Sequence, residues 1–239
     1  MIRKLIPAQT KRKIRLLQRA INDRKKGYNT LFAEVSQKEI TSPSHPIKRI
    51  QQPIFYNPLS ANKVHNISLA ISQIQKVIIP PGGLFSFWHI LGDPTVEKGY
   101  KTGRNIIGDS LQEDVGGGLC QVSGMIYHLA LVTGMEIIER HNHTIDLYKE
   151  DKRYTPLGSD ATVVYGYKDL RFKNTSSGNI QFQFSVSETA FEGHLFAEED
   201  LPEYDISFER EEFDKYRTIK TFRTINNQKE FINLSHYLT

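Results

Sequence analysis

The chain carries one thiol, and it stands where a cysteine can be made reactive. Cys120 follows three consecutive glycines, Gly116-Gly117-Gly118, and opens an apolar run that closes at Gly134. Glycine lets a backbone take positive φ and approach a ligand or a second chain segment closely. A helix that starts behind such a turn holds the thiol in its first turn, where unpaired N–H groups and the helix dipole favour the thiolate. The competing reading is a small apolar core residue, the ordinary fate of a free cysteine.

Arg140-His141-Asn142-His143 follows the next strand-like stretch. A helix and the strand after it commonly pack side by side, so the strand's far end returns towards the helix start. His141 or His143 would then reach Cys120 as the base of an activated nucleophile. Alternation along a strand would place both rings on one face. Asp160 or Asp146 would orient the imidazole, although Gly158-Ser159-Asp160 is also an ordinary turn sequence. Cys120 with both histidines could equally be three zinc ligands with an open fourth position; the expectation is nevertheless no metal and no cofactor. The remaining expected site residues would hold a ligand. The turn of Gly116, Gly117 and Gly118, with Gln121 and Ser123, would cradle a small anionic or peptide group, and Arg140 would supply the counter-charge.

The elements that must position these residues follow from periodicity. Val64, Ile67, Ile71, Ile74 and Ile78 recur at steps of three and four, which predicts a helix capped by Ser60 or Asn62 and ended by Pro80-Pro81-Gly82-Gly83. Residues 84–88 read as a short strand and residues 92–108 as a long loop. Residues 115–134 read as a buried helix, because Leu119, Val122, Met125, Ile126, Leu129 and Val132 leave little polar surface. Residues 135–139, 161–165 and 169–172 read as strands. Ile180, Phe182, Phe184 and Val186 alternate with polar residues, a half-buried antiparallel strand that pairs with residues 191–196 across a turn. Residues 204–208 and 216–225 alternate as well. The expected class is α+β, a single domain in which the helix-start cysteine packs on a mixed or antiparallel sheet. Its expected parts are a basic helical arm over 1–40, a proline-rich connector over 41–59, the main domain over 60–200 and a β-rich extension over 201–239.

Charge is divided unevenly. Residues 1–30 hold ten Lys and Arg against one acid, Asp23, whereas the rest of the chain holds 21 basic and 26 acidic residues. Residues 1–26 could lie on an anionic membrane surface; the plainer expectation is a helix whose Ile14, Leu17 and Ile21 pack on the body. A nucleic-acid role would rest on this arm alone and ranks last. Nothing approaches the run of about eighteen apolar residues that a membrane-spanning helix needs. The single cysteine excludes an internal disulfide framework and fits a reducing compartment. No signal-peptide core is evident, so the expected location is cytoplasmic, with peripheral membrane contact through the arm.

Taken in order, the motifs resemble one family. Gly116-Gly117-Gly118-Leu119-Cys120-Gln121-Val122-Ser123 and Glu139-Arg140-His141-Asn142-His143 closely resemble the signature of the VanW family. Leu84-Phe85-Ser86-Phe87-Trp88, Gly92-Asp93-Pro94-Thr95 and Lys98-Gly99-Tyr100 resemble its leading block. Pro156-Leu157-Gly158-Ser159-Asp160-Ala161-Thr162-Val163 and Asp169-Leu170-Arg171-Phe172-Lys173-Asn174 resemble its trailing block. The resemblance covers roughly residues 80–180. It implies a bacterial protein linked to glycopeptide resistance or the cell envelope. The order of glycine turn, helix-start cysteine, strand, histidine and acid also looks like the core of transglutaminase-like and papain-like folds. Two functions are therefore expected to compete: a thiol-dependent enzyme acting on amide bonds of peptidoglycan-related peptides or precursors, and a non-catalytic module binding such a ligand.

Overall fold

The computed structural model describes residues 7–36, 48–55, 57–107, 110–146 and 155–238, the side chains of 105–111 excepted. The architecture is α+β, and every paired strand among the described residues runs antiparallel to its neighbours. The α-helices among the described residues are α1 (Ala8–Lys25), α2 (Ser60–Ile74), α3 (Phe87–Leu91) and α4 (Leu119–Val132). One sheet has the order β1-β9-β8-β2, from Lys48–Pro53, Ala190–Ala197, Ile180–Val186 and Ile78–Ile79. A second has the order β3-β7-β6, from Leu84–Ser86, Arg171–Lys173 and Glu136–Glu139. Thr102–Ile107 and Ser110–Val115 form the hairpin β4-β5, and Asp205–Glu212, Tyr216–Ile225 and Gln228–Leu238 form the terminal sheet β10-β11-β12.

Helix α4 is the core around which these layers close. Val122, Met125, Ile126, Tyr127, Leu129, Ala130 and Leu131 are wholly buried. On α4 apolar residues surround the axis instead of forming one stripe, as expected of a helix covered on several sides. Strand β9 comes so near that a Cβ on Gly193 would lie 2.8 Å from Met125 Cγ. In front of the helix, the glycine turn divides two tasks. Gly116 and Gly118 have φ of 89° and 104°, the left-handed region that side chains resist. Gly117 has no positive φ and serves a different need, since its added Cβ would lie 2.5 Å from Gly103 Cα and 2.8 Å from the Arg104 nitrogen. Backbone is packed directly on the backbone of β4. Asn66, fully buried on α2, fastens the junction by donating to Lys101 O (2.8 Å) and Gly117 O (3.0 Å) and accepting from Lys101 N (2.8 Å).

Several sequence expectations are corrected here. Helix α2 ends at Ile74, and Ile78 belongs to strand β2, paired with Gln181. Neither Ser60 nor Asn62 caps that helix; Ser60 Oγ accepts from Asn57 N, and Asn62 reaches across to Thr102 O. Ser86 stops the strand at 84–86 because its side chain accepts from His89 N, capping α3. The expected long loop over 92–108 contains strand β4, the first arm of a hairpin that β5 completes. Residues 161–165 form no ladder; Thr162 N donates to His141 O (2.8 Å), Val164 makes an isolated bridge to Lys168, and Tyr165 enters the turn between them. Residues 48–53, within the expected connector, are a strand on the edge of β9, with Pro53 in the last pair.

The basic arm docks by its polar side. Ile14, Leu17 and Ile21, expected to pack on the body, are 44%, 62% and 49% exposed. The inward face instead carries Asp23, which receives Arg171 at 2.7 and 3.2 Å, and Arg19, which grips Glu139 at 2.6 and 3.1 Å. Arg171 also meets buried Asp169 at 2.8 Å, and Asp169 accepts from Ser86 Oγ and Trp88 N. Desolvation favours paired, fully bonded charge over an isolated ion, so this network fixes α1 where an apolar stripe would be expected to.

The glycine turn yields a direct test. Gly117→Ala and Gly103→Ala should each destabilise the protein by about 1–3 kcal/mol, the usual cost of forcing atoms into a filled space. Gly27→Ala is the comparison for strain without crowding, because nothing lies within 4 Å of its added Cβ. Urea unfolding monitored by far-UV circular dichroism would measure all three.

Candidate functional site

The three residues that could build a nucleophile meet at the start of α4. Cys120 is the second residue of that helix and keeps part of its surface exposed. Its Sγ lies 3.6 Å from Thr162 Oγ1 and 3.9 Å from Val163 O. The His143 imidazole completes the surroundings, near enough to the sulfur for each group to shift the other's ionisation. His143 Nδ1 is 2.6 Å from Asp160 Oδ2, and the same oxygen accepts the His143 backbone N–H at 2.7 Å. That commitment of Nδ1 leaves Nε2 as the ring nitrogen available to the thiol.

Asp160 is held with unusual thoroughness for a residue on a turn. Arg140 Nη2 donates to its Oδ1 at 2.9 Å, Tyr237 OH donates to the same oxygen, and Arg140 Nε donates to its backbone carbonyl at 2.7 Å. Arg140 is itself nearly inaccessible, with its side chain 3% exposed, and spends its remaining donors on Gly158 O, Asn233 and Ser235. Its guanidinium stacks 5.0 Å from the Tyr127 ring centre. The terminal sheet is thus part of this framework: Asn233 donates to Tyr127 OH at 2.6 Å, and Asn142 donates to His236 O at 2.6 Å.

These contacts set the ionisation of the group. For Cys120, burial works against the thiolate, but the hydrogen bond and charge of His143, with Val163 and Thr162, outweigh it and lower the thiol pKa. For His143, burial favours the neutral ring, but Asp160 and the thiol outweigh it and push its pKa up to about 10. Asp160 is driven well below the usual carboxylate range, as Arg140 and His143 overcome the cost of burial. Near neutral pH His143 is an imidazolium anchored on the Asp160 carboxylate, and it favours the thiolate form of Cys120 beside it.

Other expected site residues lie elsewhere or are otherwise engaged. His141 does not share the face of His143; its Nε2 is 3.0 Å from Glu139 Oε1, because the chain has left strand geometry by residue 140 and alternation no longer applies. Asp146 pairs with Arg217 at 2.8 Å. Arg140, expected to face a ligand, is consumed by Asp160 and the carbonyls. Ser123 is buried and donates to Ala161 O at 2.6 Å, and Gln121 donates to Pro53 O at 3.1 Å. Gly118 packs against Lys63 and Ile67, so the turn faces α2 and β4. Among the described residues no three His, Cys, Asp or Glu side chains are grouped to hold a metal ion. Thr162 and Tyr237 were not foreseeable from motif spacing, Tyr237 standing 77 residues from the carboxylate that it serves.

With this geometry in hand, comparison with known proteins places the chain. Residues 62–196 match the family described as VanW like protein, which includes Cys120, His143 and Asp160. The chain belongs to the VanW family. Among VanW-like relatives, the uncharacterized protein YoaR of Bacillus subtilis (strain 168) is 37% identical over 124 residues, covering 52% of this chain and 39% of YoaR. The vancomycin B-type resistance protein VanW of Enterococcus faecalis (strain ATCC 700802 / V583) is 31% identical over 137 residues, covering 57% of this chain and 50% of that protein. The matched region therefore spans half or less of each of these relatives. No solved structure matches the chain. Tyr237 and the rest of the terminal sheet lie outside the family match.

Because Asp160 has a depressed pKa, its contribution to stability is complete above the unfolded carboxylate value, about pH 4, and fades as the pH falls below it. Asp160→Asn should cost about 3–5 kcal/mol at pH 7 by stranding buried Arg140, with the gap to the parent narrowing between pH 5 and 2. Tyr237→Phe removes one hydrogen bond to a carboxylate and should cost about 1.5–3 kcal/mol. Urea titrations across that pH range check both.

Proposed function

We propose that this VanW-family chain is a bacterial cysteine-dependent enzyme acting on amide bonds of peptidoglycan-related peptides. The observation that supports the reading is the run Cys120–His143–Asp160, in which each residue is oriented by the next and the last by Arg140 and Tyr237. Cys120 is half-buried, its thiol pKa is lowered, and it stands at a helix N-terminus, three conditions that favour a nucleophile over a packed apolar residue. Peptidoglycan peptides are favoured as the substrate class by the vancomycin resistance for which the VanW relative is named.

The steps would run as follows. The Cys120 thiolate attacks the amide carbonyl carbon, and the carbonyl electron pair moves onto oxygen. The backbone N–H of Cys120, for which no backbone acceptor is found among the described residues, would donate to that oxyanion. Collapse re-forms the carbonyl and breaks the C–N bond as the His143 imidazolium gives its proton to the departing amine. The product at this stage is a thioester on Cys120. Neutral His143 then takes a proton from water, the hydroxide oxygen attacks the thioester carbonyl, and the acid leaves with the thiolate restored. An amine acceptor in place of water would make the same sequence a transfer. Asp160 keeps its charge throughout and preserves the orientation of the ring.

Incubation with peptidoglycan stem peptides and intact-protein mass spectrometry tests this directly. Expected are an acyl adduct confined to Cys120, free amine product, loss of both with Cys120→Ala, and a slowing of about 10²–10⁴-fold with His143→Ala. The acylation rate should also fall as the pH rises through about 10, where His143 loses the proton that the leaving amine requires. A stoichiometric, uncleaved peptide complex that survives Cys120→Ala would replace the enzyme with a binding module.

A further inference from the structure

The polar docking of α1 leaves its other side unexplained. At 3.6 residues per turn, Arg12, Leu16, Arg19 and Asp23 fall on one face. Each of them has a partner on the body: Arg12 with Asp93 at 3.2 Å, Leu16 with Gly166, Arg19 with Glu139, and Asp23 with Arg171. The opposite face carries Ile14, Leu17 and Ile21 in one exposed stripe. Helical geometry puts Lys11 along one border of that stripe, with Arg15 beyond it, and Lys13 and Arg24 along the other, with Lys25 at its end. All five cations are exposed and make no ion pair among the described residues. The only acid on the helix is Asp23, buried on the far side. The body's acids nearest the helix, Asp93, Glu139 and Asp169, are engaged by Arg12, Arg19 and Arg171.

From this we infer that the outward face of α1 is a docking surface for an anionic lipid membrane, lying in the plane of the interface. An apolar strip with cationic borders suits a layer whose surface is negative and whose interior, one side chain deep, is hydrocarbon. Charge complementarity selects this occupant. A nucleic acid would use the cations and leave three large apolar side chains in water. A second copy of the same helix would bring ten unpaired cations together with no carboxylate between them. The ion pairs on the inner face make the helix a rigid part of the body, so lipid contact would orient the whole molecule. The segment that would be oriented with it includes the site: Gly166 packs under Arg12 and Leu16, and Val163 O, three residues earlier, touches the Cys120 sulfur. Catalysis at Cys120 is not required for this inference.

The test is co-sedimentation of the 239-residue chain with vesicles of phosphatidylglycerol and phosphatidylcholine, and separately of phosphatidylcholine alone. Binding should need phosphatidylglycerol and weaken as salt rises. Leu17→Glu/Ile21→Glu and Lys13→Glu/Arg15→Glu should each bind at least tenfold more weakly, with unchanged melting temperatures because every one of these side chains is exposed. Equal binding by the parent and both variants, or no binding by the parent, would overturn the inference. So would a parent dimer dissolved by Leu17→Glu/Ile21→Glu, or duplex DNA bound as tightly as vesicles and insensitive to the apolar changes.

Discussion

The buried ion pair between Arg140 and Asp160 is the interaction on which the other parts depend. A guanidinium with a side chain 3% exposed is tolerable only if its donors are used, and Arg140 uses them on a carboxylate, two carbonyls and two side chains of the terminal sheet. Asp160 is fixed in consequence, and it then holds both the backbone and ring of His143. The position of the imidazole beside the thiol, and the ionisation of both, follow from a residue that touches neither of them. The same pair explains why strand β12, beyond the family match, belongs to the site: without Tyr237, Asn233 and Ser235 the guanidinium and carboxylate would lose part of their hydrogen bonding.

The thiol is placed from the other side by backbone contact. Gly117 lies on Gly103 with no room for a Cβ, Asn66 fastens both segments to α2, and α4 begins immediately afterwards. Cys120 therefore sits on a junction of three elements, and most of the helix that carries it is buried in the core. Rigid support of this kind is what keeps a nucleophile in register with its base. The charged network of Asp23, Arg171, Asp169, Glu139 and Arg19 supports the neighbouring sheet in parallel and fastens α1 to it.

Much of this was legible in the chain, for identifiable reasons. The buried helix, the alternating strand over 180–186 and the α+β class follow from periodicity, which tertiary contacts reinforced. The placement of Cys120 at a helix start follows from the three glycines. Errors arose where contacts distant in sequence outweighed local pattern. His141 and His143 part company because the strand ends before them. Arg140 reads as a ligand's counter-charge because its five hydrogen bonds all go to two other segments, residues 158–160 and 233–235, which spacing does not show. Ile14, Leu17 and Ile21 looked like a docking stripe, yet the buried partner of α1 is an arginine whose carboxylates lie far apart in the sequence. The β4-β5 hairpin was hidden by a segment whose charge and glycine content resemble a loop.

The most direct test of the account is the pH dependence of iodoacetamide labelling of Cys120 in the native protein, in His143→Ala and in His141→Ala. The parent and His141→Ala should show one apparent thiol pKa clearly below the ordinary value of about 8.5, and His143→Ala should raise it. A thiol that is unreactive across the series in folded protein, or a low pKa that survives His143→Ala unchanged, would contradict the pairing of Cys120 with His143.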